Sequence, residues 1–209
     1  MVRELKKIVI FIFISINIFC KFQKVDIEFG SSFYAKEREM HYEESVLQND
    51  SSFHANNNCK SAKVDVYKPL LKVENHIFYL GFGVRLEEAL AIDSQYGNLN
   101  YLTPLYFSTL YLKKNEKINF YGKFNIGYEF AFEKGENVKK FDGDNEANVS
   151  GGMHFGIESG IEYKNILLGL NYNQSSTKLL IPSGVNQVEG KVDREFSTIA
   201  LVLGYRFDI

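Results

Sequence analysis

Apolar and polar residues alternate one by one over long stretches of this chain. Val25, Ile27, Phe29, Ser31 and Phe33 interleave with Asp26, Glu28, Gly30, Ser32 and Tyr34. The same pattern runs from Ile118 through Phe120, Phe124, Ile126, Tyr128 and Phe130 to Phe132, and from Met153 through Phe155, Ile157 and Ile161 to Tyr163. Successive side chains of a β-strand point to opposite faces, so each stretch reads as a strand with one apolar and one polar face. Further strands are expected over Ala62 to Val73, Ile77 to Glu87, Thr103 to Lys113, Ile166 to Leu180 and Asp193 to Ile209, which makes eight in all. In Ala62 to Val73 and Thr103 to Lys113 apolar residues occur at both parities, so their inward face stays open. With 18 Phe, 13 Tyr and 16 Gly against three Pro, the composition also favours sheet over helix.

The connections sort these strands into an architecture. Glu74-Asn75, Lys114 to Glu116 and Lys164-Asn165 are short and turn-like, whereas Lys36 to Ser61, Glu88 to Leu102, Lys134 to Ser150 and Ile181 to Val192 are long and polar. Long and short alternate strictly. An eight-stranded up-and-down barrel with both chain ends on one side needs four loops at one rim and three turns at the other, the asymmetry of outer-membrane barrels. The start of the chain fits export: Arg3, Lys6 and Lys7 precede an uncharged run from Ile8 to Phe19, too short for a spanning helix but suited to a secretory signal. Residues 1–20 are therefore expected to be a cleaved signal peptide and 21–209 the barrel, with cleavage near Cys20. A lipid-anchored Cys20 is disfavoured because Asn17, Ile18 and Phe19 are not small. Losing three bases and one acid takes the net charge from −2 to −4. That charge offers no basic surface for nucleic acid. Two cysteines make neither a disulfide framework nor a zinc site.

Which face looks inward decides between water and membrane. A soluble barrel of the lipocalin type would line a cavity with the aromatic face. Here Gly30, Gly81, Gly83, Gly127, Gly156, Gly160, Gly169 and Gly204 share the polar parity, and small residues belong in the narrow lumen of eight strands. Asp26 and Glu28 then point inward, with Arg85, Lys123, Glu129, Glu158, Glu162 and Arg206, a mixed-sign set expected to form an interior polar network. Buried charges are tolerable only when paired. Outward-facing Leu168, Leu170, Leu201 and Leu203 near mid-strand, with Phe120, Phe130, Phe132, Tyr163, Tyr205 and Phe207 nearer the ends, fit an apolar band between aromatic girdles. The fold class expected is thus all-β, an eight-stranded antiparallel transmembrane β-barrel.

The end of the chain carries the most specific likeness. In Ile199-Ala-Leu-Val-Leu-Gly-Tyr-Arg-Phe-Asp-Ile209, the residues Leu201, Leu203, Tyr205, Phe207 and Ile209 keep one parity to the terminus. Over Lys24 to Ile209 the chain resembles the small eight-stranded outer-membrane barrels typified by the OmpA transmembrane domain and OmpX. That resemblance implies an assembly signal read by the barrel-assembly machinery, although Ile209 stands where a terminal aromatic is usual. Outer-membrane lipid is the other partner it implies.

Few residues point to chemistry. His154 lacks the serine two positions on that outer-membrane lipid A deacylases use, since Gly156 is there, and Phe22 to Asp26 leaves no room for the N-terminal helix of the palmitoyltransferase barrels. Asp142-Gly-Asp144-Asn-Glu146 lacks the later glutamate of a calcium loop. Cys59 reads as an idle loop thiol. No catalytic residue, metal or cofactor is expected, and the chain is read as not an enzyme. Its function is read as structural and adhesin-like, with a host or cell-surface ligand met by the loops. Met40, His41, Tyr42, Phe53 and His54 in the first loop, with Asp142, Asp144 and Glu146 at an acidic tip, are the candidate partner-binding residues. The alternative is a narrow channel for small or apolar solutes, as in OmpW-like barrels. If the strand reading holds, the refolded protein migrates differently with and without boiling in detergent electrophoresis and gives a β-type circular dichroism spectrum. A helical spectrum would contradict it.

Overall fold

The computed structural model describes residues 22–43, 46–55, 59–88, 101–132, 148–181 and 190–209. They form β1 (Lys24–Glu43), β2 (Val46–Ala55), β3 (Lys60–Val73), β4 (His76–Glu88), β5 (Tyr101–Lys113), β6 (Asn119–Phe132), β7 (Asn148–Ser150), β8 (Gly152–Tyr163), β9 (Ile166–Ile181) and β10 (Gly190–Asp208). Eight of these build the barrel in the order β1-β3-β4-β5-β6-β8-β9-β10, each antiparallel to its neighbours, and β10 returns to pair with β1. Closure begins at Lys24↔Asp208. The chain end is tied down there too, the Ile209 N–H donating to Gln23 O at 3.0 Å. The eight-stranded transmembrane-type barrel expected from the alternation is the observed fold. Residues 1–20, expected to be a signal peptide, lie outside the described residues.

The turns at the end of the barrel that holds both termini are short, as expected. Val73 pairs with His76 and Tyr163 with Ile166, leaving two-residue turns. Lys164 and Asn165 adopt φ of 48° and 70°, the doubly left-handed geometry whose twist matches a hairpin. In the third turn Asn119 Oδ1 accepts the Asn115 N–H at 3.0 Å.

At the opposite end the expected boundaries move. Lys36 to Ser61 is not an irregular loop: β1 continues to Glu43, and β2 folds back on it from Glu43↔Val46 to Ala35↔Ala55. β3 pairs with β1 only as far as Ser31↔Lys60, and β2 takes over that edge beyond it. β1 and β10 stay paired to Glu43↔Gly190, β10 and β9 to Gly190↔Ile181, and β7 adds to β9 at Asn148↔Leu180. One side of the wall therefore projects beyond the rim as a sheet in the order β2-β1-β10-β9-β7. Residues 36–43 and 48–52 are mostly polar in sequence, so they carry no clean apolar alternation to mark them. Arg38 and Glu195, opposite each other in the register, approach to 3.9 Å.

Two bulges account for irregular parity. The β1–β10 register shifts between Ser32 and Tyr34, so Phe33 and Tyr34 both end up exposed, where strict alternation had placed Tyr34 on the polar face. The β3–β4 register shifts between Pro69 and Leu71. Lys63, Asp65 and Tyr67 face inward before it, whereas Leu71 and Val73 are exposed after it, which resolves the mixed phase of β3.

The outer surface is apolar and aromatic. Leu168, Leu170, Leu201 and Leu203 are about half exposed or more, flanked by exposed Phe120, Tyr163, Tyr205, Phe207 and Ile209. Of the predicted assembly-signal residues, Leu201, Leu203, Tyr205 and Phe207 lie on this outer face of β10, and Ile209, just beyond the strand, is exposed. Inside, glycine is required where a tyrosine ring crosses the narrow lumen: a Cβ on Gly83 would stand 2.2 Å from Tyr106 Cε2. Replacing the outward Leu203, 59% exposed, by Arg should cost about 2–4 kcal/mol near the bilayer midplane. Urea unfolding in lipid vesicles measures this, and an unchanged midpoint would place Leu203 away from lipid.

Candidate functional site

The lumen is filled in three layers. Near the chain ends, Tyr67, Ile77, Tyr79, Leu110, Leu112, Tyr121 and Leu167 form an apolar plug. Leu110 and Leu112 point inward from β5, which explains why that strand is apolar at both parities.

Above the plug lies a desolvated ion cluster centred on Lys123 of β6. Its Nζ is 2.7 Å from Asp26 Oδ2 and 3.3 Å from Asp65 Oδ2, and it donates to Glu28 Oε1. Lys63 of β3 lies 2.9 Å from Glu28 Oε2 and donates to Glu158. Arg206 of β10 grips Asp26 bidentately, Nε and one terminal nitrogen each 2.7 Å from a carboxylate oxygen, and donates with the other to Glu162. Bidentate geometry of this kind fixes both partners. The rings of Tyr67 and Tyr121 lie 5.7 and 5.6 Å from Lys123 Nζ, adding cation–π contacts. Tyr106 Oη donates to Asp65 at 2.8 Å, and Tyr67 Oη, Ser108 Oγ and Asn125 Oδ1 form a hydrogen-bonded chain at 3.0 and 2.6 Å. The Asp26, Glu28 and Asp65 carboxylates lie close enough together to hold a metal ion. The ammonium of Lys123 occupies that role instead.

Of the six residues predicted for the interior network, Lys123, Glu158, Glu162 and Arg206 belong to this cluster. Arg85 is inward but engages Asn171 Oδ1 at 2.7 Å, Ser61 Oγ at 3.2 Å and Glu87 at 3.2 Å. Glu129 is fully buried yet stands apart, beside His154. Sequence reasoning missed Lys63 and Asp65, because the bulge at Leu70 hides the parity of β3. A mixed-sign pair two residues apart on a strand is the signal that could have found them.

The third layer, towards the projecting sheet, contains Glu129, His154 and Ser175. His154 Nδ1 lies 2.8 Å from Ser175 Oγ and 3.5 Å from Glu129 Oε2, and its ring stacks on Tyr106 at 5.5 Å. The serine missing two residues after His154 is supplied across the sheet, where the register sets His154 opposite Ser175. These are the residue types of a hydrolytic triad, but serine and carboxylate compete for the same imidazole nitrogen. A relay needs one on each nitrogen. Nearby, a cleft between Glu87, Glu88, Leu102, Asn173, Ser175, Phe196 and Thr198 has room for about one water molecule.

The candidate partner-binding residues are not gathered in one loop. Met40, His41 and Tyr42 lie on β1, and Phe53 and His54 on β2, with Glu37↔Phe53 and Lys36↔His54 in register. Asp142, Asp144 and Glu146 lie outside the described residues. Cys59, read as a loop thiol, lies just before β3 and is buried there, its N–H donating to Ser32 Oγ at 2.9 Å.

No protein-family model and no curated protein matches the sequence. Solved structures do match in fold. The outer membrane protein AlkL in lipid bilayers aligns over 90% of this chain and 91% of its own, at 13% identity and a TM-score of 0.50. The outer membrane protein OprG from Pseudomonas aeruginosa aligns over 90% and 97%, at 13% identity and a TM-score of 0.48. The outer membrane protease OmpT from Escherichia coli aligns over 90% and 99%, at 10% identity and a TM-score of 0.47. The fold is that of the small outer-membrane barrels. The expectation that the chain is not an enzyme is corrected by the same comparison: the matched structures include this protease and the outer membrane enzyme PagL, so the fold does not exclude catalysis.

The ion cluster makes its own prediction. Among the described residues it sets five carboxylates (Asp26, Glu28, Asp65, Glu158 and Glu162) against three cations (Lys63, Lys123 and Arg206). Lys123→Met leaves three carboxylates facing one another and should lower stability by about 3–5 kcal/mol. Glu158→Gln, which relieves the acidic excess, should cost less. Equal urea midpoints for Lys123→Met and the parent would show that the cluster is hydrated.

Proposed function

We propose that the protein is an outer-membrane barrel with a closed lumen that displays a sheet at the cell surface for contact with a host molecule or another cell. One observation carries this reading: the wall does not stop at the rim but continues as β2-β1-β10-β9-β7. Among the described residues, β2 pairs with β1 alone, so its other edge offers unpaired backbone donors and acceptors. Such an edge is a template for strand addition by a partner, with backbone hydrogen bonds giving affinity and side chains giving selectivity. The lumen, closed by an apolar plug and an ion cluster, supports a structural barrel over a narrow channel for small or apolar solutes. The reading includes export with loss of residues 1–20 and insertion by the barrel-assembly machinery through the outward pattern ending at Phe207 and Ile209.

Cells displaying the chain should adhere to their target surface, and replacing residues 44–57 by a short Gly-Ser link should abolish adherence while leaving the boiling-dependent mobility intact. The barrel register is set by the ladders below the rim, so the change spares the fold. Undiminished adherence without the hairpin would contradict the proposal.

A further inference from the structure

Glu129, His154 and Ser175 sit on three adjacent strands, β6, β8 and β9, and point into the outer third of the lumen. The ion cluster does not use them. Glu129 is fully buried, and among the described residues neither of its carboxylate oxygens accepts a hydrogen bond; His154 Nε2 likewise has none. Burying an ionised carboxylate is costly unless a cation stands against it.

We infer that Glu129, His154 and Ser175 bind a divalent first-row metal ion, represented by zinc. The separations carry the argument. Donors about 2.0–2.2 Å from one ion stand about 3.0–3.5 Å from each other in octahedral to tetrahedral arrangements. His154 Nδ1 is 3.5 Å from Glu129 Oε2, at the upper end of this range, and 2.8 Å from Ser175 Oγ, a hydrogen-bond separation that opens by about a few tenths of an ångström when both atoms bind one ion. An imidazole nitrogen with a carboxylate oxygen is a donor pair that suits zinc and its neighbours better than calcium or magnesium. The ion takes the place of the hydrogen shared between Ser175 and Nδ1, the hydroxyl turning to present its oxygen. The imidazole is held in place beforehand: Tyr106 stacks on it and is itself anchored to Asp65. Gly127 lies between His154 and Tyr106 in the sheet, and a Cβ there would stand 2.0 Å from Leu105 O and 2.5 Å from Tyr106 Cα, so glycine is what lets β5 and β6 approach this closely beside the imidazole. Ser175 also lines a cleft with room for about one water, whose other walls include Glu88 and the Arg85-paired Glu87.

Calorimetric titration of zinc chloride into the full, refolded barrel in detergent micelles tests the site. One equivalent should bind, with affinity reduced by more than about 100-fold in Glu129→Gln and in His154→Gln, since even outer-shell losses cost about 10–100-fold. The double variant His41→Gln, His54→Gln and the variant His76→Gln should bind as the parent does. In the unsubstituted protein labelled on histidine, zinc should shift the His154 imidazole resonances and leave those of His76 in place, a readout that does not depend on any variant folding. Absence of zinc binding, undiminished binding by Glu129→Gln and His154→Gln, loss of binding only in the His41/His54 variant, or His154 resonances unmoved at saturating zinc would each overturn the inference.

Discussion

A sheet in lipid has no solvent to satisfy its edges, so the β10–β1 ladder is the contact on which everything else depends. It runs from Lys24↔Asp208 upward and turns eight strands into a ring with no free edge in the apolar band. Eight strands enclose little volume. The inward positions are therefore glycines, tyrosines crossing the lumen, and charged side chains compact enough to pair with one another. The outer face, freed from packing, carries leucine, phenylalanine and tyrosine against lipid.

The ion cluster follows from the same restriction. Asp26 on β1, Lys123 on β6 and Arg206 on β10 meet because the lumen is narrow enough for side chains from separated strands to touch. In the desolvated interior such contacts are strong only while every member keeps its partners. They tie distant parts of the ring together and fill the middle of the lumen with buried side chains. Above the rim the wall extends on one side as the sheet β2-β1-β10-β9-β7, in which, among the described residues, β2 pairs with β1 alone.

The alternation made the eight barrel strands, the lipid-facing leucines and the inward Lys123, Glu158, Glu162 and Arg206 legible, because one face of each segment meets lipid and the other a polar lumen. The pattern failed where that contrast is missing. Residues 36–43 and 46–55 are strands whose sequence lacks a regular apolar alternation, so they read as loop. In β3 the bulge at Leu70 reverses the parity within one strand, hiding Lys63 and Asp65. Ser175 could not be associated with His154 from spacing along the chain, since the two meet only through the β8–β9 register. Arg85 and Glu129 were placed correctly as inward residues but not with their partners, which depend on shear between strands and not on parity.

Conductance across a planar bilayer tests the closed, ion-paired lumen most directly. The refolded protein should insert without producing steady open-channel currents at ordinary voltages, because Tyr67, Leu112, Leu167 and the Lys123 cluster are buried within the lumen. Large, reproducible, steady currents from the unsubstituted barrel would contradict the account.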